Sequence, residues 1–412
     1  MSDTYEGVIS RHLTGAERRV PIEEEGTPLV IEPLRSSNTG FLEEFLQHHS
    51  SRIYVDLATH GAILLRGFDV ASAGDFERVT LSIQGMSGIH EILLSEPGRA
   101  VVDGTRFVRS TSMLVKTGGT LSFGGFHTEN YYVPEVPRFI AFFCEVPGRM
   151  GGETGLLNDV KVYAALPDEL KRKLEDRACV AGFYTVADMA TRYGVSADLI
   201  EEFCKDINLP ISDIDGKRHV TICKPSVIEH PLTHERALQI NFTALSALNV
   251  PLLRAFLPDY AGARWLAHRA FWKYPWLVSW SMRRIVRRFR LAAREGRGSD
   301  LRVPDDRTPD ARTVASLFTP EDVQILATCM RRYYSSFPWK PGDVLILDNL
   351  KIAHSGMAGI GKRILKALMC NPLVLSVPAT SPGLRVVANT LESSTGLGTR
   401  LSRLQEGRAA LA

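Results

Sequence analysis

Residues 126–146 read FHTENYYVPEVPRFIAFFCEV, and this stretch decides the fold class. Its second half, FIAFFCEV at 139–146, is a nearly unbroken apolar run of strand length, which is typical of a strand buried on both faces. GAILLRGF at 61–68 and VLIL at 344–347 predict two further buried strands. Helical patterns separate these regions. The sequence therefore predicts an α+β protein in which one β-barrel or sandwich carries an embedded helical region.

Changes in composition along the chain predict the boundaries of the domain, of the helical insertion and of a C-terminal tail. We predict a single domain over residues 1–380, with PLVIEPL at 28–34 as a short edge strand. Residues 246–335 are predicted to be a basic, tryptophan-rich helical insertion. Residues 381–412 are rich in Ser, Thr, Gly and Arg, and they predict a flexible or weakly helical C-terminal tail.

The overall composition indicates an ordinary globular protein. The 412 residues are 44% hydrophobic and 23% charged, which excludes a mainly disordered chain. No run reaches the roughly 18 apolar residues of a membrane-spanning helix. The N-terminus also lacks a signal-peptide core, so we expect a cytoplasmic protein. The six cysteines are scattered without a C-x-x-C pair, which fits a reducing compartment and argues against a zinc ribbon or Fe–S cluster.

The charge is unevenly distributed. The chain carries a net charge of +3, but residues 264–297 hold ten Lys or Arg against one acid, or 10 − 1 = +9. The simplest interpretation of this segment is an amphipathic helical lid that packs on the barrel and exposes its arginines to water. Six arginines within residues 283–294 repel one another, however, and favour an acidic partner, either a carrier protein or an anionic membrane surface. Of these two partners we favour the carrier protein. The sequence contains no motif typical of proteins that recognise the grooves of DNA or RNA, so we predict no nucleic-acid partner.

Three residues form a candidate metal site. On a strand, His127 and Glu129 would project from one face into the same cavity. A His-x-Glu spacing alone arises more often by chance, so a third ligand is needed. His354, at the end of GDVLILDNLKIAH, supplies it. His268 is the rival because Arg283 lies fifteen residues further on, but its surroundings, RWLAHRAFWK, predict a basic helix.

An arginine follows the third candidate ligand. A glycine-bearing turn after His354 leads into KRILKALMC, in which Arg363 shares a strand face with three apolar residues, Leu365, Ala367 and Met369. Such a hairpin would place the guanidinium near the metal, where burial requires an anionic partner. Two histidines and a carboxylate with open positions form the facial triad of non-haem Fe(II) oxygenases. The anion then fits 2-oxoglutarate, whose carboxylate matches the planar guanidinium.

Four blocks resemble the taurine dioxygenase-like (TauD/TfdA) family of Fe(II)/2-oxoglutarate-dependent oxygenases, especially members that act on amino acids or carrier-bound acyl groups in specialised metabolism. They are GAILLRGF, FHTENYYVPEVPRFIAFFCEVPGRMGGETGLLNDVKVYAALP, PSVIEHPLTHERALQINF, and PGDVLILDNLKIAHSG followed by GKRILKAL. Together they span most of residues 61–166, 225–242 and 338–370. The resemblance implies a double-stranded β-helix (jelly-roll) core with flanking helices. It also implies that the iron ligands are His127, Glu129 and His354.

The resemblance further implies a co-substrate site, in which Thr154 shares the distal 2-oxoglutarate carboxylate with Arg363. Because Arg363 follows His354 by only nine residues, at the short end of the usual interval, Lys362 and Lys366 stay open as contributors. Candidate substrate residues are Asn130, Tyr131, Arg99 and Asn241.

The function that follows is an oxygenase requiring Fe(II), 2-oxoglutarate and O2. We expect it to hydroxylate an unactivated C–H bond of an amino acid or related small metabolite, free or carrier-bound, with release of succinate and CO2. The same site could catalyse desaturation, cyclisation or epoxidation. An alternative from another class is a non-catalytic metal- and 2-oxoglutarate-binding module with a basic partner-docking helix. The sequence leaves homo-oligomer formation open.

Overall fold

Strands and helices are interspersed along the chain. A computed structural model describes residues 5–20, 26–90, 100–111, 125–130, 135–175, 178–207, 209–214, 216–239, 254–274, 276–277, 280, 318–376, 390–393, 400–401 and 403–406. The strands within these ranges are β1 (Val8–His12), β2 (Leu29–Pro33), β3 (Ala62–Leu65), β4 (Arg109–Ser110), β5 (Glu135–Val146), β6 (Met150–Gly151), β7 (Thr154–Asn158), β8 (Ala178–Thr185), β9 (Ile211–Ile214), β10 (Lys217–Pro225), β11 (Val227–Glu229), β12 (Arg236–Leu238), β13 (Tyr334–Phe337), β14 (Val344–Asp348), β15 (Ile352–Gly356), β16 (Gly359–Ile360), β17 (Ile364–Ser376) and β18 (Thr390–Ser393). The α-helices are α1 (Thr39–His48), α2 (Ser50–His60), α3 (Ala73–Leu81), α4 (Asp159–Ala165), α5 (Asp168–Glu175), α6 (Val186–Tyr193), α7 (Ala197–Asp206), α8 (Leu266–Lys273) and α9 (Pro320–Arg332).

One large mixed sheet forms the centre of the protein. Its strand order is β1–β2–β3–β14–β5–β17–β18, and β4 also pairs with β17. Strands β2 and β3 run parallel, whereas β14 is antiparallel to both β3 and β5. Leu345 of β14 lies opposite Leu64 on one side and Phe142 on the other. The predicted buried strands thus pair with one another in the middle of this sheet.

Both faces of the large sheet are covered. Leu345 and Leu347 belong to the inner core, a cluster that also contains Phe142. Val344 and Ile346 belong to a different cluster, in which they pack with side chains of helices α1, α2 and α3. Because successive side chains alternate between two buried faces, an apolar residue is required at nearly every position. This requirement explains the continuous apolar runs in β5 and β14.

A smaller sheet of β13, β7 and β15 encloses the inner core from the other side. Leu156 and Ile352 of this sheet belong to the inner core together with Phe142. Leu157 and Ala353, the alternate positions, pack against helices α4, α5 and α9. The chain passes from β13 to β14 to β15 and on to β17, so it alternates between the small and the large sheet. Among the described residues, three other groups of strands, β8–β10–β9, β11–β12 and β16–β6, lie outside these two sheets.

Short side chains mark where the helices begin. The Asn38 side chain accepts a hydrogen bond from the Phe41 backbone N–H and caps α1. Ser72 and Asp75 form a reciprocal capping box at α3. Helix α2 ends at Gly61, whose φ of 73° is the left-handed conformation that favours glycine. Local capping therefore fixes the helix ends that pack against the large sheet.

Several predicted features differ in the structure. The prediction of an edge strand at 28–34 is wrong, because β1 pairs with β2 along its full length and takes the edge position. In the predicted tail, β18 pairs antiparallel with β17. Helices α8 and α9 lie within the predicted insertion, whereas residues 281–317, with most of the arginine cluster, are outside the described ranges. Among the described helices, none is both long and apolar enough to cross a membrane.

The contact between Gly61 and strand β15 generates a stability prediction. A Cβ at Gly61 would lie 2.4 Å from Ile352 Cδ1, and its φ is unfavourable for any L residue. Gly104 has a similar φ of 77° but nothing within 4 Å of a built Cβ. Gly104→Ala should therefore cost only the backbone strain, about 1–2 kcal/mol. Gly61→Ala should lower the free energy of unfolding by a further 1–3 kcal/mol or so through overpacking. Urea unfolding measures both, and equal losses would contradict the clash.

Candidate metal centre

His127 and His354 are joined through their backbones. They form an isolated antiparallel bridge, in which the His127 N–H donates to the His354 carbonyl at 3.1 Å and the His354 N–H donates back at 2.9 Å. His354 lies in β15 opposite Leu156 of β7. His127 thus adds one residue to the free side of β15. Residues opposite each other in an antiparallel pair share a face, and the two imidazole centroids are 4.6 Å apart.

Glu129 reaches the histidines from a turn. Strand pairing ends at His127, and Glu129 lies in the turn that follows. Asn130 in this turn has a left-handed φ of 58°. The turn nevertheless places Glu129 Oε2 3.5 Å from His354 Nε2, and Glu129 is only 2% exposed. Ligand atoms of His127, Glu129 and His354 all lie within 4.8 Å of one another.

A buried asparagine fixes the position of Glu129. Asn349 Oδ1 accepts a hydrogen bond from the Glu129 backbone N–H at 2.7 Å. The Asn349 amide also donates to the carbonyls of Glu129, at 3.3 Å, and of Pro137, at 2.9 Å. Asn349 therefore ties the turn to the start of β5. Sequence reasoning missed it, although the polar pair Asp348-Asn349 directly after a buried strand was a usable signal.

The histidine donor atoms are arranged for coordination. His127 Nδ1 lies 3.2 Å from the Gly125 carbonyl oxygen. Because a carbonyl only accepts hydrogen bonds, this contact assigns the proton to Nδ1 and leaves the Nε2 lone pair available. The Phe142 ring packs against His354 with centroids 5.1 Å apart. The resulting set of two imidazoles and one carboxylate suits a divalent first-row metal.

The candidate co-substrate residues also lie together. Arg363 Nη1 donates to the Gly152 carbonyl at 2.7 Å, and a Cβ on Gly356 would lie 3.5 Å from Arg363 Nη2. Gly356 is the register partner of Thr154, in the same β7–β15 pair that carries His354. Burial lowers the pKa of Arg363, an effect that nearby Cys144 and Glu153 oppose. The half-buried guanidinium of Arg363 thus lies close to Gly356. Gly356 follows His354 by two residues on β15 and pairs with Thr154 on β7.

The neighbours of Thr154 include another residue that sequence reasoning missed. The indole Nε1 of Trp339 donates to Thr154 Oγ1 at 3.2 Å, and both side chains are buried. This bond occupies a lone pair of the hydroxyl and leaves its own proton free to donate to an anion. The two lysine alternatives are placed differently. Lys362 is exposed, and Lys366 forms an ion pair with Glu145 at 3.4 Å.

Tyr260 and Trp265, in the first part of the predicted insertion, contact a residue that pairs with Glu153 near Arg363. Arg19 forms a 3.4 Å ion pair with Glu153 and stacks on the rings of Tyr260 and Trp265 at 5.0 and 4.6 Å. Burial raises the pKa of Glu153, and the guanidiniums of Arg19 and Arg363 oppose this rise. The sequence contained no spacing signal for this cluster, because its members are far apart along the chain.

The remaining candidates are placed as follows. His268, the rival ligand, is buried on α8 with its ring 4.3 Å from that of Tyr260, outside the three-residue group. Asn130 is buried next to Glu129, and its amide lies 3.8 Å from the Met369 sulfur. The other three candidate substrate residues, Tyr131, Arg99 and Asn241, lie outside the described residues.

A family profile described as "Taurine catabolism dioxygenase TauD, TfdA family" matches residues 33–267, which is more than half of the chain. The chain is therefore an enzyme of the Fe(II)/2-oxoglutarate-dependent dioxygenase class. Within that class it belongs to the TauD, TfdA family, so the resemblance seen in the sequence is confirmed.

Individual relatives are distant. The chain is 20% identical over 356 residues to the dapdiamide synthesis protein DdaC of Enterobacter agglomerans, covering 84% of this chain and 93% of DdaC. It is 32% identical over 128 residues to a clavaminate synthase-like protein of Arabidopsis thaliana, covering 30% and 36% of the two chains. Similar solved structures include a taurine dioxygenase from Burkholderia xenovorans, with 15% identity, a TM-score of 0.47 and coverage of 96% and 98%. Another is PvcB from Pseudomonas aeruginosa, with 14% identity, a TM-score of 0.45 and coverage of 95% and 97%.

The role of Asn349 can be tested through metal affinity. Asn349→Ala would leave the Glu129 backbone N–H without its acceptor and free the turn to move. Losses of this kind around a metal site weaken metal binding by about 10- to 100-fold. The control is Asn38→Ala, which removes the cap of α1 at a cost of about 1 kcal/mol but leaves the site untouched. Titration with Mn(II) measures the affinity, and similar affinities in both variants would contradict a positioning role.

Proposed function

We propose that this enzyme uses Fe(II), 2-oxoglutarate and O2 to hydroxylate an unactivated C–H bond of a small molecule, an amino acid or related metabolite, releasing succinate and CO2. His127, Glu129 and His354 are the proposed iron ligands. The observation that carries the proposal is the convergence of two imidazoles and one carboxylate within 4.8 Å of one another. Desaturation, cyclisation and epoxidation would use the same residues.

The three residues fit a metal ion on chemical grounds. Glu129 is almost fully buried, and a carboxylate at such a site is costly without a compensating cation. The His127 tautomer assigned above leaves an unprotonated Nε2 that could bind a metal. Iron, when bound, would supply the oxygen activation and oxidising power that protein side chains lack. Three protein ligands leave positions open for the co-substrate and O2.

Arg363 and Thr154 are the proposed partners of the distal 2-oxoglutarate carboxylate. The guanidinium offers paired N–H donors, and the Thr154 hydroxyl, held by Trp339, offers a third. The β7–β15 register supports this assignment, because it places Thr154 opposite Gly356, two residues after His354. One short strand would thus set the distance between the metal and the far end of the co-substrate.

Apolar residues adjoin the proposed metal ligands and would limit the access of water to them. Phe142 contacts His354, and Leu156 is the register partner of His354. Both Phe142 and Leu156 belong to the inner core. Met369 in that core contacts Asn130 beside Glu129. An apolar surround of this kind strengthens each charged contact and protects a reactive centre from side reactions. The chain would therefore orient its ligands in a dry pocket and leave bond cleavage to the cofactor.

We also propose that the large sheet and the β13–β7–β15 sheet are the two halves of a double-stranded β-helix within a 1–380 domain. The alternation of β13, β14, β15 and β17 between these sheets supports this architecture. A cytoplasmic location, and docking of an acidic carrier protein or membrane surface on residues 264–297, stay predictions. Most of the arginines concerned lie outside the described residues.

The proposed iron ligands can be tested by replacing each candidate histidine. His354→Ala removes one of three ligands and should reduce binding of Mn(II), a stand-in for Fe(II), below detection. The matched control is His268→Ala, which removes a buried histidine outside the group and should retain stoichiometric binding. Calorimetric titration with far-ultraviolet circular dichroism as a folding check measures both. Retained binding in His354→Ala would remove it from the ligand set.

The co-substrate anchor yields a graded prediction. Arg363→Gln removes the charged partner of the distal carboxylate and should weaken 2-oxoglutarate binding by about 2–4 kcal/mol. Thr154→Ala removes one hydrogen bond to a charged group and should cost about 1.5 kcal/mol. Lys366→Gln breaks only the ion pair with Glu145 and should leave the affinity unchanged. Calorimetry on the Mn(II)-loaded protein measures all three, and a large loss confined to Lys366→Gln would reverse the assignment.

A further inference from the structure

Strand β10 carries a buried lysine that has no role in the proposed metal site. Lys224 of β10 is 0% exposed, and its Nζ forms no hydrogen bond with any residue that the structure describes. Burial lowers the pKa of this amine to about 7, an effect that the carboxylate of Glu135 opposes. A polar group buried without a partner is costly, whether it is charged or neutral. An anionic ligand would offset this cost by accepting hydrogen bonds from Lys224 Nζ.

Glu135, which provides the opposing charge, begins strand β5 and is also fully buried. Among the described residues, Lys224 forms no ion pair, so the two groups influence each other electrostatically without direct contact. A lysine kept only to neutralise Glu135 would be expected to contact it, because direct pairing offsets the desolvation of both charges. The separation of the two groups favours a binding role.

Strand β17 relates this lysine to the proposed co-substrate site. Arg363 directly precedes the first residue of β17, Ile364, whereas Glu135 pairs with Val374 near its other end. Met369, which contacts Asn130 beside Glu129, lies midway, five residues from Ile364 and five from Val374. Five residues of strand span about 16 Å. The half-buried Arg363 and the buried Lys224 thus lie toward opposite ends of β17, with the three proposed metal ligands between them.

Two further sets of contacts link the start of β5 and strand β10 to the proposed metal ligands. Asn349 binds both the backbone of Glu129 and the carbonyl of Pro137, two residues from Glu135. Ile222, which precedes Lys224 on β10 and is separated from it by a β-bulge at Ile222/Cys223, belongs to the inner core, as does Phe142, whose ring contacts His354. The start of β5 and the end of β10 therefore lie toward the Val374 end of β17, on the other side of the three proposed metal ligands from Arg363.

We infer that Lys224 is a substrate-recognition residue whose amine binds a carboxylate of the primary substrate. The substrate would lie between Lys224 and the three proposed ligands, on the side opposite the co-substrate. This inference rests on the proposed function and narrows it. A carrier-bound acyl group has its carboxyl carbon in a thioester, so a carboxylate at Lys224 favours a free acid over a substrate tethered through that carbon.

Reductive methylation tests whether Lys224 lines a ligand pocket. Formaldehyde and cyanoborohydride at pH 7 methylate uncharged amines, and Lys224 should carry about a thousandfold more uncharged amine than an ordinary lysine. Peptide mass spectrometry should show it modified well before Lys217, which is exposed on the same strand. Hexanoate should slow this reaction about tenfold by pairing with the amine, whereas hexanamide should not. An unmodified Lys224 in the folded protein, or equal effects of hexanoate and hexanamide, would overturn the inference.

Variants separate substrate recognition from stabilisation and from co-substrate binding. Lys224→Met combined with Glu135→Gln removes both charges, so no carboxylate is left stranded if the single variant misfolds. The double variant should keep the succinate formation that occurs from 2-oxoglutarate without added substrate, as should the exposed control Lys217→Met. Loss of that activity in a folded double variant would place Lys224 in the co-substrate site and overturn the inference. Absence of 2-oxoglutarate turnover in the parent would instead defeat the proposed function, while the methylation result would stand on its own.

Discussion

The two backbone hydrogen bonds between His127 and His354 are the constraint on which the rest of the site depends. They join residues 227 positions apart, and they bring both imidazoles to one side of the small sheet. Backbone pairing of this kind fixes side-chain direction without relying on the side chains themselves. Glu129 follows in a turn held by Asn349, so the third donor depends on the same bridge.

Strand β14 positions the residues that complete this arrangement. Its apolar core is bounded by two buried carboxylates, each with its own partner. Arg66 Nη2 bonds Asp343 at 2.7 Å at one end, and His230 Nε2 bonds Asp348 at 2.9 Å at the other. Burial raises the pKa of Asp343, and the Arg66 guanidinium opposes that rise. Satisfied polar groups of this kind fix one register for a strand that apolar contacts alone would specify less sharply. Asn349 and β15 follow directly, and so they reach the site in a defined position.

Charge is distributed unevenly around the inner core. Arg363 lies at the entry to β17, with Glu153 and Arg19 beyond it and the aromatic rings of Tyr260 and Trp265 stacked on Arg19. Lys224 and Glu135 lie toward the other end of β17. The first part of the predicted insertion therefore packs beside the end of the inner core that carries Arg363 and Glu153. This packing gives the insertion a structural connection to the site that is independent of its arginine-rich segment.

The sequence by itself determined the class of enzyme, the buried strands and the identity of the convergent residues. Apolar runs and a His-x-Glu spacing are local patterns, and the residues that follow His354 continue one such pattern. Tertiary structure alone decided that Glu129 lies in a turn, that Asn349 holds it, and that Trp339 orients Thr154. It also decided that β1 rather than β2 forms the sheet edge and that Lys224 is buried near Glu135. These features arise from contacts between residues far apart in the chain, where no periodicity links the partners and only the packed fold brings them together.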